Sequence, residues 1–351
     1  MPVPDLYDNC DWFPDHARII FPAPTVVIAA LHQDCFLKNG AVPPVPVHTL
    51  DTLVALNAQT ANVTKQLTWK DVALEARGGG SINLLNLKDG NFLFHAGLTL
   101  RLCDSNLNEL RSRTLQSINW RNEQWLPLVS ADGKSILLKH WNTDKDSERW
   151  SEEHWISPET LQDIRSFRTA LYSWESLISG NQVFYNLARR GSVSPSEDLV
   201  YVRQIGDREG HPFCSACTGV ALAATSTGTV IVAATTAELW LVDPSGNVIL
   251  RKKLGGLGDN IEHVEATQKG SLFAFSFGHS RDFIVTRGFD TFVLFDSDAK
   301  QQRFRFKTTT YPYDEGEGWQ RLDTPSFALS PAANQIVLLD GYVLKSFLLS
   351  P

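Results

Sequence analysis

Apolar residues recur at every second position along most of this chain, in short runs broken by small polar turns. That is the period of a strand with one buried face. Thr99-Leu-Arg-Leu-Cys103, Glu238-Leu-Trp-Leu-Val242 and Thr291-Phe-Val-Leu-Phe295 each run into a turn that opens on Asp104, Asp243 or Asp296. A second strand pattern follows each turn. An aspartate at that place can accept backbone N–H groups of the turn, and Gly or Asn tolerates the positive φ the turn needs. Val54-Ala-Leu-Asn-Ala-Gln-Thr60 and Trp155-Ile-Ser-Pro-Glu-Thr160 are weaker copies.

A second series puts a small or polar turn before an apolar run. It comprises Lys88-Asp-Gly90, Ala131-Asp-Gly133, Ser194-Pro-Ser, Thr227-Gly228, Lys269-Gly270 and Ser330-Pro-Ala. Helical periodicity is scarce, and the stretch from Ser157 to Tyr172 reads as a strand plus a connection.

Spacing converts these copies into an architecture. Gly90 and Gly133 lie 43 residues apart, Gly228 and Gly270 lie 42 apart, and Ala58 and Asp104 lie 46 apart. Gly133 and Gly228 lie 95 apart, two periods with one poor copy between. A period of roughly 40–50 residues with four strands each is that of a propeller blade. The expected fold is therefore all-β, a single β-propeller over 1–351 with seven four-stranded blades, six or eight being the alternatives. The blades are expected at 24–70, 80–118, 122–168, 170–213, 214–256, 260–308 and 320–351. The last is one strand short, and Ala17-Arg-Ile-Ile-Phe21, within an N-terminal extension over 1–23, is expected to supply a closing strand.

Composition narrows the function more than the fold. The 351 residues are 43% hydrophobic and 20% charged, enough for a sizeable core. A net charge of −7 gives no basic footprint for nucleic acid and no polybasic patch for anionic lipid. No apolar run is long enough to cross a membrane as a helix, and no signal peptide is visible. The default compartment is the cytoplasm, although a chain already trimmed of a signal would read the same. A monomer is the expected state. Cys10, Cys35, Cys103, Cys214 and Cys217 are odd in number and scattered, so buried free thiols are expected rather than a disulfide framework.

The Ser-x-Asp-Gly-Lys before an apolar strand (Ser130 to Lys134), and the alternating strand that ends in Asp-x-x-Gly (Asp243 to Gly246), resemble the WD40/YVTN-type β-propeller superfamily. The resemblance spans nearly the whole chain in short motifs. Two features depart from it: Trp240 is followed by Leu-Val-Asp, and Gly210-His211 and Gly278-His279 have no matching Trp-Asp. The resemblance implies a propeller that binds at its ring faces, and it carries no catalytic residue onto any position here.

The candidate chemistry is local. Trp141, Trp150 and Trp155 cluster with His154, Glu152, Glu153 and Asp144 and offer a stacking rim, or else packing between blades. Tyr311-Pro-Tyr313-Asp314-Glu315-Gly-Glu-Gly-Trp319 is an acidic, aromatic, non-repeating segment suited to a cation or polar ligand at the ring mouth. His211, Cys214 and Cys217 are a weak metal candidate with no second C-x₂-C pair; a local disulfide or inert thiols are the other readings. Gly255-Gly-Leu-Gly258 lacks the Lys-Ser/Thr of a phosphate loop, and no nucleophile elbow or zinc-protease helix is present. No cofactor is implied. The expected function is a non-catalytic propeller that binds a protein or peptide on a ring face. The alternative is a hydrolase or lyase acting at the central channel mouth on a glycan or small molecule.

Overall fold

The computed structural model describes residues 10–12, 17–36, 46–72, 82–116, 123–142, 151–169, 176–187, 199–214, 221–225, 228, 230–234, 238–254, 259–266, 272–279, 291–296, 302–307, 327–332, 334–340 and 343–349. These form seven antiparallel sheets in chain order. The first contains β1 (Cys10–Trp12), β2 (Arg18–Ala23), β3 (Val26–Phe36), β4 (Pro46–Asn57) and β5 (Val63–Val72). The second contains β6 (Asn83–Asn86), β7 (Phe92–Ala96), β8 (Thr99–Cys103) and β9 (Glu109–Thr114). The third contains β10 (Glu123–Val129), β11 (Ile136–Asn142), β12 (Ser151–Ile156) and β13 (Asp163–Thr169). The fourth contains β14 (Ser176–Ser179), β15 (Gln182–Leu187), β16 (Leu199–Gln204) and β17 (His211–Pro212). The fifth contains β18 (Ala221–Ala224), β19 (Val230–Ala234), β20 (Glu238–Val242) and β21 (Val248–Lys253). The sixth contains β22 (Asp259–Ala266), β23 (Leu272–His279), β24 (Thr291–Asp296) and β25 (Gln302–Lys307), and the seventh β26 (Phe327–Leu329), β27 (Gln335–Asp340) and β28 (Val343–Leu348). The only helix among the described residues is one 3-10 turn, Lys88–Gly90, so none could cross a membrane.

Within each sheet the strands pair up and down in sequence order, except that in the first sheet β1 also pairs with β3. Between sheets, the inner strands meet: β2 touches β6 and β26, β10 touches β6 and β14, and β18 touches β14 and β22. The step from sheet six to sheet seven is made by Leu294, Phe304 and Phe306 against Phe327, Leu329, Ile336 and Leu338. The seven contacts close a ring. Each gap is filled from both sides by alternating residues. Phe92, Phe94 and Ala96 pack with Ile28, Ala30 and Leu53 of sheet one, while Leu93 and Leu100 pack with Ile136 and Ile156 of sheet three. Burying one such side chain contributes about 1.5–3 kcal/mol.

Closure differs from the expectation. Arg18–Ala23 pairs with β3 in the first sheet and supplies no strand to the seventh. Ala17, Ile19, Ile20 and Phe21 are all buried, so both faces of the segment are covered, as an innermost strand requires. An outer strand would leave one face open. The ring closes through side chains instead. Ala17, Ile19 and Phe21 pack with Ala328, Val337 and Leu339, and Gln335 Nε2 donates to Ala58 O at 2.7 Å.

The turns show why the sequence period was readable. Asp104 Oδ1 accepts the Asn106 and Asn108 N–H groups, each at 2.9 Å, and Asp243 Oδ1 accepts those of Ser245 and Asn247 at 2.9 Å. Asn57 Oδ1 and Ser157 Oγ do the same for Gln59 and Thr60 and for Glu159 and Thr160. Each of these turns carries one left-handed residue, Ala61, Leu107, Leu161 or Gly246. A register shift precedes the turn in each case. Ser194 is out of phase: it precedes β16, a third strand, and the first turn of sheet four is the short Gly180-Asn181.

Candidate binding face

Strand direction separates the connections into two ends of the ring. First-to-second and third-to-fourth strand turns leave one end, and none exceeds six residues. Second-to-third and sheet-to-sheet connections leave the other end. These include 37–45, 73–82, 143–150, 188–198, 213–220, 280–290 and the 19 residues 308–326.

At the short end the turns brace one another. The Lys88 N–H donates to Gly133 O at 3.1 Å, bringing the turns of sheets two and three into contact. A Cβ on Gly133 would lie 2.6 Å from Lys88 N, at a φ of +71°. Fourth-strand cations then reach the next sheet's turn. Lys65 Nζ donates to Leu107 O at 3.2 Å, Arg111 Nε donates to Glu159 O at 3.2 Å, and Arg113 donates to Leu161 O at 3.0 Å and forks onto Asp163. Burial works against charge at Asp104 and Asp163, but N–H donors and Arg113 hold both carboxyls below the usual range. For Asp243, the hydrogen bonds from Asn247 lead the same downward shift.

Trp141 lies at the end of β11, opposite Ser151, and its side chain lies outside the described residues. Trp150, Tyr311, Tyr313, Asp314, Glu315, Trp319 and Cys217 are also outside them. Trp155 is within them. It points toward the other end of β12 and packs half-buried with Leu137, Ile178, Val183 and Tyr185 between sheets three and four. Its neighbour Glu153 is buried and paired with Arg203 across the same gap. His154 Nδ1 stands 3.3 Å from Asp163 Oδ2, with its ring against Trp125.

The cysteines depart from the free-thiol expectation. Cys35 and Cys214 are disulfide-bonded, and Cys10 stands opposite Cys35 in register. A disulfide sulfur is no thiolate, so Cys214 is not a metal ligand in this state, and His211 is exposed on β17. Cys103 is a buried free thiol, pushed up to about 12 by burial.

Two titratable side chains, one on the inner strand β22 and one on the second strand β7, were not legible in the sequence. Glu265 on β22 is half-buried by surface area, yet desolvation pushes its carboxyl up to about 8. His95 is buried, held by Asn83 Nδ2 at 3.2 Å, and lowered to about 4 by burial. Periodicity alone places such residues on a strand without telling which face meets water.

No protein-family model and no curated protein matches the sequence. Solved structures do match. Hsv2 from Kluyveromyces marxianus is 8% identical, with a TM-score of 0.50 over 86% of this chain and 89% of that one. An Hsv2 from Kluyveromyces lactis with loop 6CD replaced by a Gly-Ser linker is 10% identical, with a TM-score of 0.50 over 95% and 93%. Raptor from Chaetomium thermophilum is 10% identical, with a TM-score of 0.58 over 98% of this chain and 29% of that one. The chain has a β-propeller fold. At these identities the likeness speaks for the propeller's architecture and leaves its ligand open. Each sheet is then a blade, and the inner strands line the central channel.

Proposed function

We propose that this propeller is a non-catalytic binding module whose protein or peptide partner docks on the long-connection face. The observation that carries this reading is topological. In support of it, β11, β17 and β25 end, and β12, β18 and β26 begin, at the same end of the ring, and the sequence between them contains Trp150, Tyr311, Tyr313 and Trp319. Aromatic side chains anchor interfaces well because they bury large area with few rotamers. The short end lacks comparable length and is occupied by its own turn hydrogen bonds.

The test is cross-linking mass spectrometry on the protein and its partner, with two variants. Replacing 143–150 and 311–319 by Gly-Ser linkers is expected to abolish the cross-links while changing stability by less than about 1 kcal/mol. Arg111→Ala at the opposite end is expected to leave them intact. Cross-links that persist in the linker variant would place the partner elsewhere.

A second reading, an enzyme at the channel mouth, is favoured by one feature: Glu265, a carboxyl on an inner strand that desolvation pushes up to about 8. Turnover of a glycan or small molecule that disappears in Glu265→Gln would favour it over a binding module.

A further inference from the structure

The charges of this chain are sorted by distance from the ring's centre. The last described strand of each sheet, β5, β9, β13, β17, β21, β25 or β28, lies farthest out. These strands hold 13 Lys or Arg and three Asp or Glu. The whole chain has 32 of the first kind and 39 of the second. A net charge of −7 therefore conceals a cationic rim on a more acidic remainder. Lys70, Arg111, Arg165, Arg251, Lys253 and Arg305, from five different blades, are exposed.

Two structural duties account for part of the sorting. Charge of either sign on an outer strand opposes edge-to-edge pairing, so that duty does not select cations. Bonding the carbonyls of the next blade's turn does select them, and it employs Lys65, Arg111 and Arg113. Arg251 pairs with Glu238 at 2.8 Å. That leaves Lys70, Arg165, Lys253 and Arg305, exposed cations whose sign neither duty sets.

Spacing and curvature narrow the partner. Arg111 and Arg113, Arg251 and Lys253, and Arg303 and Arg305 are each two residues apart on one strand, so each pair shares a face at about 6.8 Å along it. Alternate residues of an extended polypeptide have the same spacing. The aromatic rings of these strands pack inward, Trp69 onto Phe94, Phe167 between blades three and four, and Phe304 and Phe306 against sheet seven. They offer no stacking platform for nucleic-acid bases. The cations also recur around the circumference, where a flexible chain can follow the curve and a flat membrane meets only one arc.

We propose that the cationic rim docks an extended acidic segment of another protein, with Asp or Glu at alternate positions. Each carboxylate that meets an outer-strand cation adds a weak, salt-sensitive contact, and several in a row give affinity and direction. The rim is separate from the long-connection face, and either can fail without the other.

The probe is a fluorescein-labelled polyglutamate of about 30 residues, which reaches about 100 Å when extended. It is titrated with the full-length protein at low ionic strength and followed by fluorescence polarisation. Saturable binding is expected in spite of the net charge of −7, and it weakens as salt is raised. Arg165→Glu/Lys253→Glu is expected to weaken it about tenfold or more. Lys88→Glu/Lys134→Glu makes the same change in net charge on the exposed short-end turns and is expected to weaken it less than about twofold. Lysine acetylation of the unmodified protein, read by mass spectrometry, is expected to show Lys70 and Lys253 shielded by the probe and Lys88 and Lys134 not. That arm decides the matter even if the rim variant fails to fold. No saturation by about 1 mM protein, equal loss in the two variants, or equal shielding of the four lysines would overturn the proposal. So would tighter binding to phosphatidylserine vesicles or to single-stranded RNA, which would assign the rim to a membrane or to nucleic acid.

Discussion

At one end of the propeller the connections span two to six residues, and several are closed by the side chain of their own first residue, as at Asp104 and Asp243. At the other end they reach 19 residues, and their composition ceases to repeat. The difference separates two duties of one repeat. The short end fixes strand register and ties each blade to the next. The long end is relieved of that duty, so insertions there cost little closure entropy and can be aromatic or acidic as a ligand demands.

The contrast can be broken most sharply at Gly133. Gly133→Ala puts a methyl within 2.6 Å of backbone at a left-handed φ, where neither the turn nor its neighbour at Lys88 can yield. A loss of about 2–3 kcal/mol in urea unfolding is expected, against less than about 1 kcal/mol for the whole linker replacement at the far end. If the linker variant proves the less stable, the division of duties is wrong.

A smaller effect is expected at the Asx turns. Asp104→Ala removes two N–H acceptors and should cost about 1 kcal/mol, measured as a lower unfolding midpoint without a change in slope. The penalty should shrink as pH falls through the carboxyl's depressed pKa, because the native state then gains nothing from the charge.

The smallest concerns the channel. Glu265 keeps its proton up to about pH 8 in the fold but loses it near its ordinary value of 4.5 when unfolded. Between those values the native state binds more protons, so this residue's contribution to stability falls as pH rises. Glu265→Gln should therefore raise the melting temperature at pH 8.5 by a few degrees and leave it nearly unchanged at pH 5. An equal shift at both pH values would show that the carboxyl is not desolvated.

How much the sequence disclosed follows the same division. Turns closed by Asp104, Asp243, Gly133 and Gly228 were legible because the residue type carries the mechanism. Ala61, Leu107 and Leu161 hold the same left-handed place with no glycine to mark it, and only the copies around them betray it. Ser194 misled because Leu199-Val-Tyr-Val reads alike as a second or a third strand. Ala17 to Phe21 misled because an apolar run does not say whether one face or both are buried. The bonded state of Cys35 goes with a strand neighbour, Cys10, that spacing does not reveal, whereas for Cys214 the local disulfide was one of the readings left open. Among the candidate aromatics, composition singled out Trp155 as a rim residue, and only its packing with Leu137, Ile178, Val183 and Tyr185 shows it between two blades.

The joint between blades seven and one is made of the same kind of side-chain packing as the other six, with Gln335 on Ala58 in place of an exchanged strand. Among the described residues no blade borrows a strand from another. The unit that is copied in the gene is thus also the unit that is complete in space. A duplication or loss of one repeat would leave every remaining sheet whole, and only the angle between neighbours would have to adjust. Propeller size in such a lineage is free to drift by whole blades, which a ring closed by strand exchange would resist.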